Sequence, residues 1–306
     1  MPEKQEEKMI QSFDEIKTRL AGAESRTLAV AAAADAEVLR AVDAAVKAGW
    51  AKAILVGDVE KIKEIQAEEG LADQDYGYVQ EAEPAEACRT AVRLVREGSA
   101  QVLMKGLVDT SVLLKAVLDK EQGLRKSPVL SHLALFRVPG REKLVFVTDA
   151  AMNISPDLEA KAAIVRNSVE VAQRLGLEEP IVAALCAVEK INPKMAATLD
   201  ADALVQMNRS GELSGCRILG PLALDNAVSP EAARHKGIQD PDAGHADILL
   251  VPYIEVGNVL YKALVFFAGA ENAGILLGAA APIVLTSRAD SDEAKLNSIA
   301  LAMAVC

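Results

Sequence analysis

The sequence predicts an α/β protein of two domains, each a doubly wound and mainly parallel sheet, with a cleft between the domains. Three observations predict it. Apolar strand-like runs alternate with amphipathic helical runs for most of the chain, which is the rhythm of βαβ units. The chain has 306 residues, 51% of them hydrophobic, enough for two cores or one large one. Residues 131–150 break the rhythm: "SHLALFRV" and "KLVFVTDA" are joined by "PGRE", which reads as a turn between antiparallel strands.

In order, "MPEKQEEKMIQ" is charged, lacks the apolar core of a signal peptide and reads as a leading helix. "TLAVAAA" then reads as a strand before the helix "DAEVLRAVDAAVKAG", and "AKAILVG" as a strand before "DVEKIKEIQAEEG". "AEACRTAVRLVREG" leads into the strand "AQVLMKG". The hairpin opens a second domain, where "PDLEAKAAIVRNSVEVAQRLG", "PIVAALCAV", "NPKMAATLDADALVQMNRSG", "CRILGPLAL", "ADILLVP" and "EVGNVLYKALVFFAG" resume the alternation. At the end, "APIVL" reads as a buried parallel strand and "DSDEAKLNSIALAMAV" as a helix capped by Asp290 or Ser291. These last elements match those of the first half, so the first domain is expected to be 1–130 plus 278–306. The second, 131–277, is then an insertion, and the two chain crossings bound the cleft. There is no internal repeat and no low-complexity linker.

Composition narrows the function classes. With 33 Lys+Arg against 44 Asp+Glu the net charge is -11, which argues against a nucleic-acid or anionic-membrane surface. The longest apolar run, "AGILLGAAAPIVLT", is fourteen residues long and contains Pro282, too short and interrupted for a membrane span. Cys88, Cys186, Cys216 and Cys306 are far apart, so neither a zinc site nor a disulfide framework is signalled, and a reducing cytoplasm is expected.

The first strand–helix turn, "AAAADAEVL", lacks the dinucleotide glycines, and no P-loop or "GxSxG" pattern occurs. His132 lies in a strand and reads as structural, His235 closes a helix, and His245 is in a loop. Polar residues instead gather at the carboxyl ends of strands, the edge where ligands bind in open α/β sheets. "LMKGLVDTS" offers Lys105 as a point charge, Gly106 for close backbone approach, and Thr110 and Ser111 as caps. "VTDAAMNISPD" places Thr148, Asp149 and Asn153 after a strand, and "GPLALDNAVS" does the same for Asp225 and Asn226. "VPYIEVGNVLYK" sets Glu255, Gly257 and Asn258 at a helix start with Lys262 one turn on. "LTSRADSDEAK" puts Thr286, Ser287 and Arg288 between the last strand and the last helix, where free N–H groups and a planar guanidinium suit phosphate. The plain alternative for each is a turn or a cap with solvated charges. Together they suit an elongated, partly apolar anion.

Four strings, "TDAAMNISPDLEAKA", "GPLALDNAVS", "ADILLVPYIEVGNVLYKALVF" and "APIVLTSRADSDEAKLNSIALA", together resemble the phosphate acetyl/butyryltransferase family, its butyryl branch more closely than its acetyl branch. The resemblance covers nearly the whole chain and is strongest from Thr148 onward. It implies a fold related to the isocitrate and isopropylmalate dehydrogenases, with the site in the interdomain cleft. It implies reversible transfer of a short acyl group between CoA and inorganic phosphate, giving acyl phosphate and free CoA by direct attack in a ternary complex. CoA is then a substrate, and no cofactor, metal or covalent acyl-enzyme is expected. Ser287 falls at the reacting carbonyl or thiol and Arg288 on phosphate, with homodimers or larger homo-oligomers built through the second domain. Two departures matter. The carboxylate that the acetyl branch carries beyond the serine is Ala294 here, leaving Asp290, Asp292 and Glu293 nearby and the base unassigned. Members often read "VPDIEAGN" where this chain has "VPYIEVGN", so Tyr253 and Val256 bear on acyl preference. The rival readings are an acetyl-specific enzyme, a decarboxylating dehydrogenase of the same fold, and a non-catalytic protein that binds CoA or acyl phosphate.

Overall fold

A computed structural model describes residues 10–71, 74–285 and 290–306. The chain divides into two compact units. One comprises Phe13–Pro128 and Asn272–Cys306; the other comprises Val129–Glu271 with the described residues up to Ser12.

The first unit opens with α1 (Phe13–Ala21), which buries Phe13, Ile16 and Leu20 at helical spacing. Then follow β1 (Arg26–Ala31), α2 (Ala36–Lys47), β2 (Ala51–Gly57), α3 (Val59–Glu68), β3 (Gly77–Gln80), α4 (Pro84–Arg96), β4 (Val102–Lys105) and α5 (Thr110–Val117). Acidic caps start most of these helices: Asp35 accepts from Val38 N at 2.9 Å, Asp58 from Lys61 N at 3.3 Å and Glu83 from Glu86 N at 2.8 Å. At α5 the N-cap position is Asp109, not Thr110 or Ser111, which are the first helical residues.

The second unit begins with the hairpin β5 (Ser131–Arg137) and β6 (Val145–Thr148), antiparallel with Phe136 opposite Val145. Next come α6 (Leu158–Arg174), β7 (Ile181–Leu185), α7 (Ala196–Arg209), β8 (Arg217–Leu222), the short α8 (Leu224–Val228) and α9 (Pro230–His235), β9 (Ile248–Leu250) and α10 (Ile254–Phe266). Its strand order is β5-β6-β9-β7-β8, parallel except at the hairpin. Asp247, 6% exposed, clamps the start of β9: one carboxylate oxygen takes the Lys143 ammonium at 2.5 Å and the other takes Ile181 N at 2.8 Å. The core above gathers Phe136, Val147, Leu222 and Leu249, with Tyr261 meeting Phe136 edge-on at 5.1 Å. Burying a side chain of Phe size stabilises by roughly 1.5–3 kcal/mol.

The chain completes the first unit with β10 (Glu271–Leu277), β11 (Ile283–Val284) and α11 (Asp292–Ala304). The strand order there is β3-β2-β1-β4-β11-β10, with β10 alone antiparallel to its neighbour. No described helix is long and apolar enough to cross a membrane.

Candidate active site

In the first unit, β1, β4 and β11 run side by side in one direction, with Ala31 paired to Lys105 and Val284 to Met104. Their carboxyl ends therefore share one edge, and α2 and α11 both start from it. The cap of α11 is Ser291, whose hydroxyl accepts from Ala294 N at 3.1 Å. Thr286, Ser287 and Arg288 lie outside the described residues.

Lys105 is half-buried and turns its ammonium onto its own loop, donating to the carbonyls of Gly106 at 3.2 Å and Val108 at 3.1 Å. Gly106 has a packing reason to be glycine. A Cβ there would stand 2.2 Å from the Ala32 carbonyl oxygen and 2.6 Å from that of Ala31. The close approach at this position is thus made by the neighbouring strand end, and it keeps the Lys105 turn tight against β1. Among the nearby carboxylates, Asp292 is 65% exposed and faces Arg40 at 3.8 Å.

In the second unit, β6, β9, β7 and β8 also end on a common edge, and the expected residues fall there in two groups. Asp149, 2% exposed, accepts from Ala151 N and Met152 N at 2.9 Å each and from the Asn153 amide at 2.6 Å. Asn153 also donates to Leu130 O at 2.8 Å, and the Thr148 hydroxyl donates to His132 O at 2.9 Å. This trio builds the turn into α6. Gly257 lets α10 lie against that turn, since a Cβ would come within 2.7 Å of Asp149 O. Asn258 and Lys262, one turn apart on α10, are both exposed.

The second group centres on Asn226, fully buried on α8, whose side-chain N–H donates to Glu189 at 2.6 Å while its side-chain Oδ1 has no partner among the described residues. Asp225 accepts from the Asn226 backbone N–H at 3.0 Å. Glu189 had no signal in the sequence, because it lies 37 residues from Asn226. Backbone and Asn226 hydrogen bonds, with the Lys236 ammonium, hold its carboxyl below the ordinary glutamate range. Two buried lysines were also missed. Lys161, 3% exposed, pairs with Asp200 at 2.6 Å and sits 5.4 Å over the Tyr253 ring, beside a small cavity lined by Ala184, Leu204, Leu250 and Pro252. Lys295, also 3% exposed, is on α11, just after the acidic first turn of Asp292 and Glu293. Tyr253 occupies the N-cap position of α10 without capping it, so an aromatic ring under an ammonium stands where an acidic residue would bond the helix.

Burial pushes the thiols of Cys88, Cys186 and Cys216 up to about 11, so at neutral pH they are not thiolates.

Asp149→Ala strips three donors of their acceptor, and the folded state should lose about 2–3 kcal/mol in urea titration. An unchanged midpoint together with lost activity would instead assign this carboxylate to a ligand.

The residues 79–303 match the family model described as phosphate acetyl/butaryl transferase. The chain is 50% identical over 297 residues to a phosphate butyryltransferase of Clostridium acetobutylicum, covering 97% of this chain and 99% of that one. It is 44% identical over 289 residues to a phosphate acetyltransferase of Thermotoga maritima, covering 94% and 98%. Among solved structures, a branched-chain phosphotransacylase from Enterococcus faecalis superposes with a TM-score of 0.80 at 38% identity, over 92% of this chain and 98% of that one. A family-model match over residues 79–303 together with 50% identity over nearly the whole chain means that the chain belongs to the phosphate acetyl/butaryl transferase family.

Proposed function

We propose that this acyltransferase moves a short acyl group of the butyryl type between CoA and inorganic phosphate, forming acyl phosphate and free CoA in a ternary complex. The observation that carries the reading is the near full-length identity to a phosphate butyryltransferase. A phosphate oxygen attacks the thioester carbonyl carbon. The C–O bond forms, the C–S bond breaks, and CoA leaves as thiolate; the reverse reaction retraces these steps. Arg288 grips phosphate through its planar fork, Ser287 donates to the developing oxyanion, and Lys105 adds positive field at the same strand edge. Holding both reactants in line supplies much of the acceleration. The three protonated thiols support direct transfer over an acyl-cysteine.

On this reading Thr148, Asp149, Asn153, Asp225 and Asn226 shape the second unit's strand edge, Gly106 and Gly257 allow close packing, and the exposed Asn258 and Lys262 meet the substrate. CoA is a substrate and no resident cofactor or metal takes part. Free cysteines are in keeping with a cytoplasmic enzyme. We further propose a fold relationship to the isocitrate and isopropylmalate dehydrogenases. A structure of 4-hydroxythreonine-4-phosphate dehydrogenase from Klebsiella pneumoniae supports a dehydrogenase-like fold, with a TM-score of 0.55 at 14% identity. A homodimer or a multiple of it is favoured by α10. Val256, Val259, Phe266 and the adjoining Phe267 are 42%, 68%, 74% and 93% exposed and fall on one stripe within about 100° of arc. A second copy of the chain would cover that stripe.

Three measurements test this. Over an acyl-CoA series, kcat/KM should favour butyryl over acetyl by about tenfold, since each buried methylene contributes about 0.8 kcal/mol; equal or inverted values would point to an acetyl enzyme. Arg288→Lys should raise KM for phosphate and lower kcat/KM at least about tenfold, while Ser287→Ala should lower kcat about a hundredfold. Wild-type kinetics with only a lowered Tm would reduce both residues to a helix cap. Light scattering should give a multiple of the 32.4 kDa chain, and a monomer mass would contradict the assembly.

A further inference from the structure

The Lys295 ammonium, almost fully buried in the first turns of α11, is an expensive place for a charge. Its two acceptors explain the geometry: Glu37 Oε2 at 2.9 Å, in the first turn of α2, and the Asp290 carbonyl oxygen at 2.6 Å. A second pair, Arg40 with Asp292 at 3.8 Å, repeats the link between the same two helices with the charges reversed. One turn further along α11 the helix is tied to a second neighbour, because the Ser298 hydroxyl accepts from Gly274 N on β10 at 2.9 Å.

Stability is a poor reason for such a lysine. A buried ion pair seldom outperforms a well-packed apolar group of similar volume, so what it contributes is a defined geometry. The geometry defined here is local. Asp290 stands two residues after Arg288 in the sequence, and Lys295 ties it to α2, the helix that follows β1.

We propose that Lys295 is a positioning residue for acyl transfer, acting through the 287–288 pair by anchoring Asp290 against Glu37. The proposal rests on the assignment of Ser287 and Arg288 to the reacting centre. No contact between Lys295 and either substrate is invoked.

The test is a double-mutant cycle on the full chain, with phosphate and butyryl-CoA as substrates. Lys295→Met, which keeps the volume and removes the charge, should lower kcat/KM for phosphate about tenfold while the protein melts near the wild-type temperature. In an Arg288→Lys background the same change should cost less than about threefold, because the guanidinium whose position Lys295 would govern is already gone. Glu37→Ala removes one acceptor from a side chain that is 45% exposed and should lower kcat/KM for phosphate about threefold. It carries the test if Lys295→Met does not fold. Full additivity with Arg288→Lys, or wild-type kinetics in Lys295→Met or, where that variant does not fold, in Glu37→Ala, overturns the proposal. If Arg288→Lys is impaired and the cycle is additive, only the role of Lys295 fails. If Arg288→Lys itself is unimpaired, the assignment of the reacting centre fails and this proposal with it.

Discussion

Parallel pairing of β1, β4 and β11 is the constraint from which the rest of the first unit follows. Parallel strands must each return through a crossover, so successive strands leave the sheet at the same edge and successive helices begin there. Two helix N-termini and Lys105 therefore share one border without any of them being placed individually. The packing is close: Gly106 passes so near the carbonyls of Ala31 and Ala32 that no larger residue fits. The same principle orders the second unit, where Asp149, Tyr253 and Asp225 all follow the carboxyl ends of parallel strands.

Buried polar groups then convert a generic edge into a particular one. Asp149 closes a turn with three donors, Asp247 pins the opposite end of the same sheet through Lys143 and Ile181 N, and Lys295 joins α11 to α2. Asp247 and Lys295 are satisfied by partners from other elements, which makes them sensitive to small displacements of backbone. Removing one partner costs far more than the net contribution of the pair. Asn258 and Lys262, which remain exposed, are by contrast carried on a surface whose shape others determine.

Much of the fold was legible in the sequence because its signals are local. The alternation of apolar strands with helices and the antiparallel hairpin at "PGRE" depend on neighbours a few residues away. What was missed depends on distant ones. The strand β3, "GYVQ", is a partly exposed edge with no apolar run to mark it. The strand reading "CRILGPLAL" ends at Leu222, and the short helix α8 takes up Asp225 and Asn226. Gly106 was read as an opening for a ligand, whereas its close neighbour is a strand end 74 residues earlier, at Ala32. The pairing of Glu189 with Asn226 and of Lys295 with Glu37 had no spacing that a pattern could detect. That polar residues gather at strand ends could be read; which side chains there are already occupied by partners could not.

The central claim is that phosphate is gripped at the first unit's strand edge, beside Lys105 and the start of α11. Its most direct test is a crystal of the enzyme with CoA and arsenate, located by the anomalous signal of arsenic. The account predicts the anion within hydrogen-bond distance of Arg288, at the carboxyl ends of β4 and β11. An anion bound instead at the second unit's edge, around Asp225 and Asn226 and away from Arg288, would contradict it.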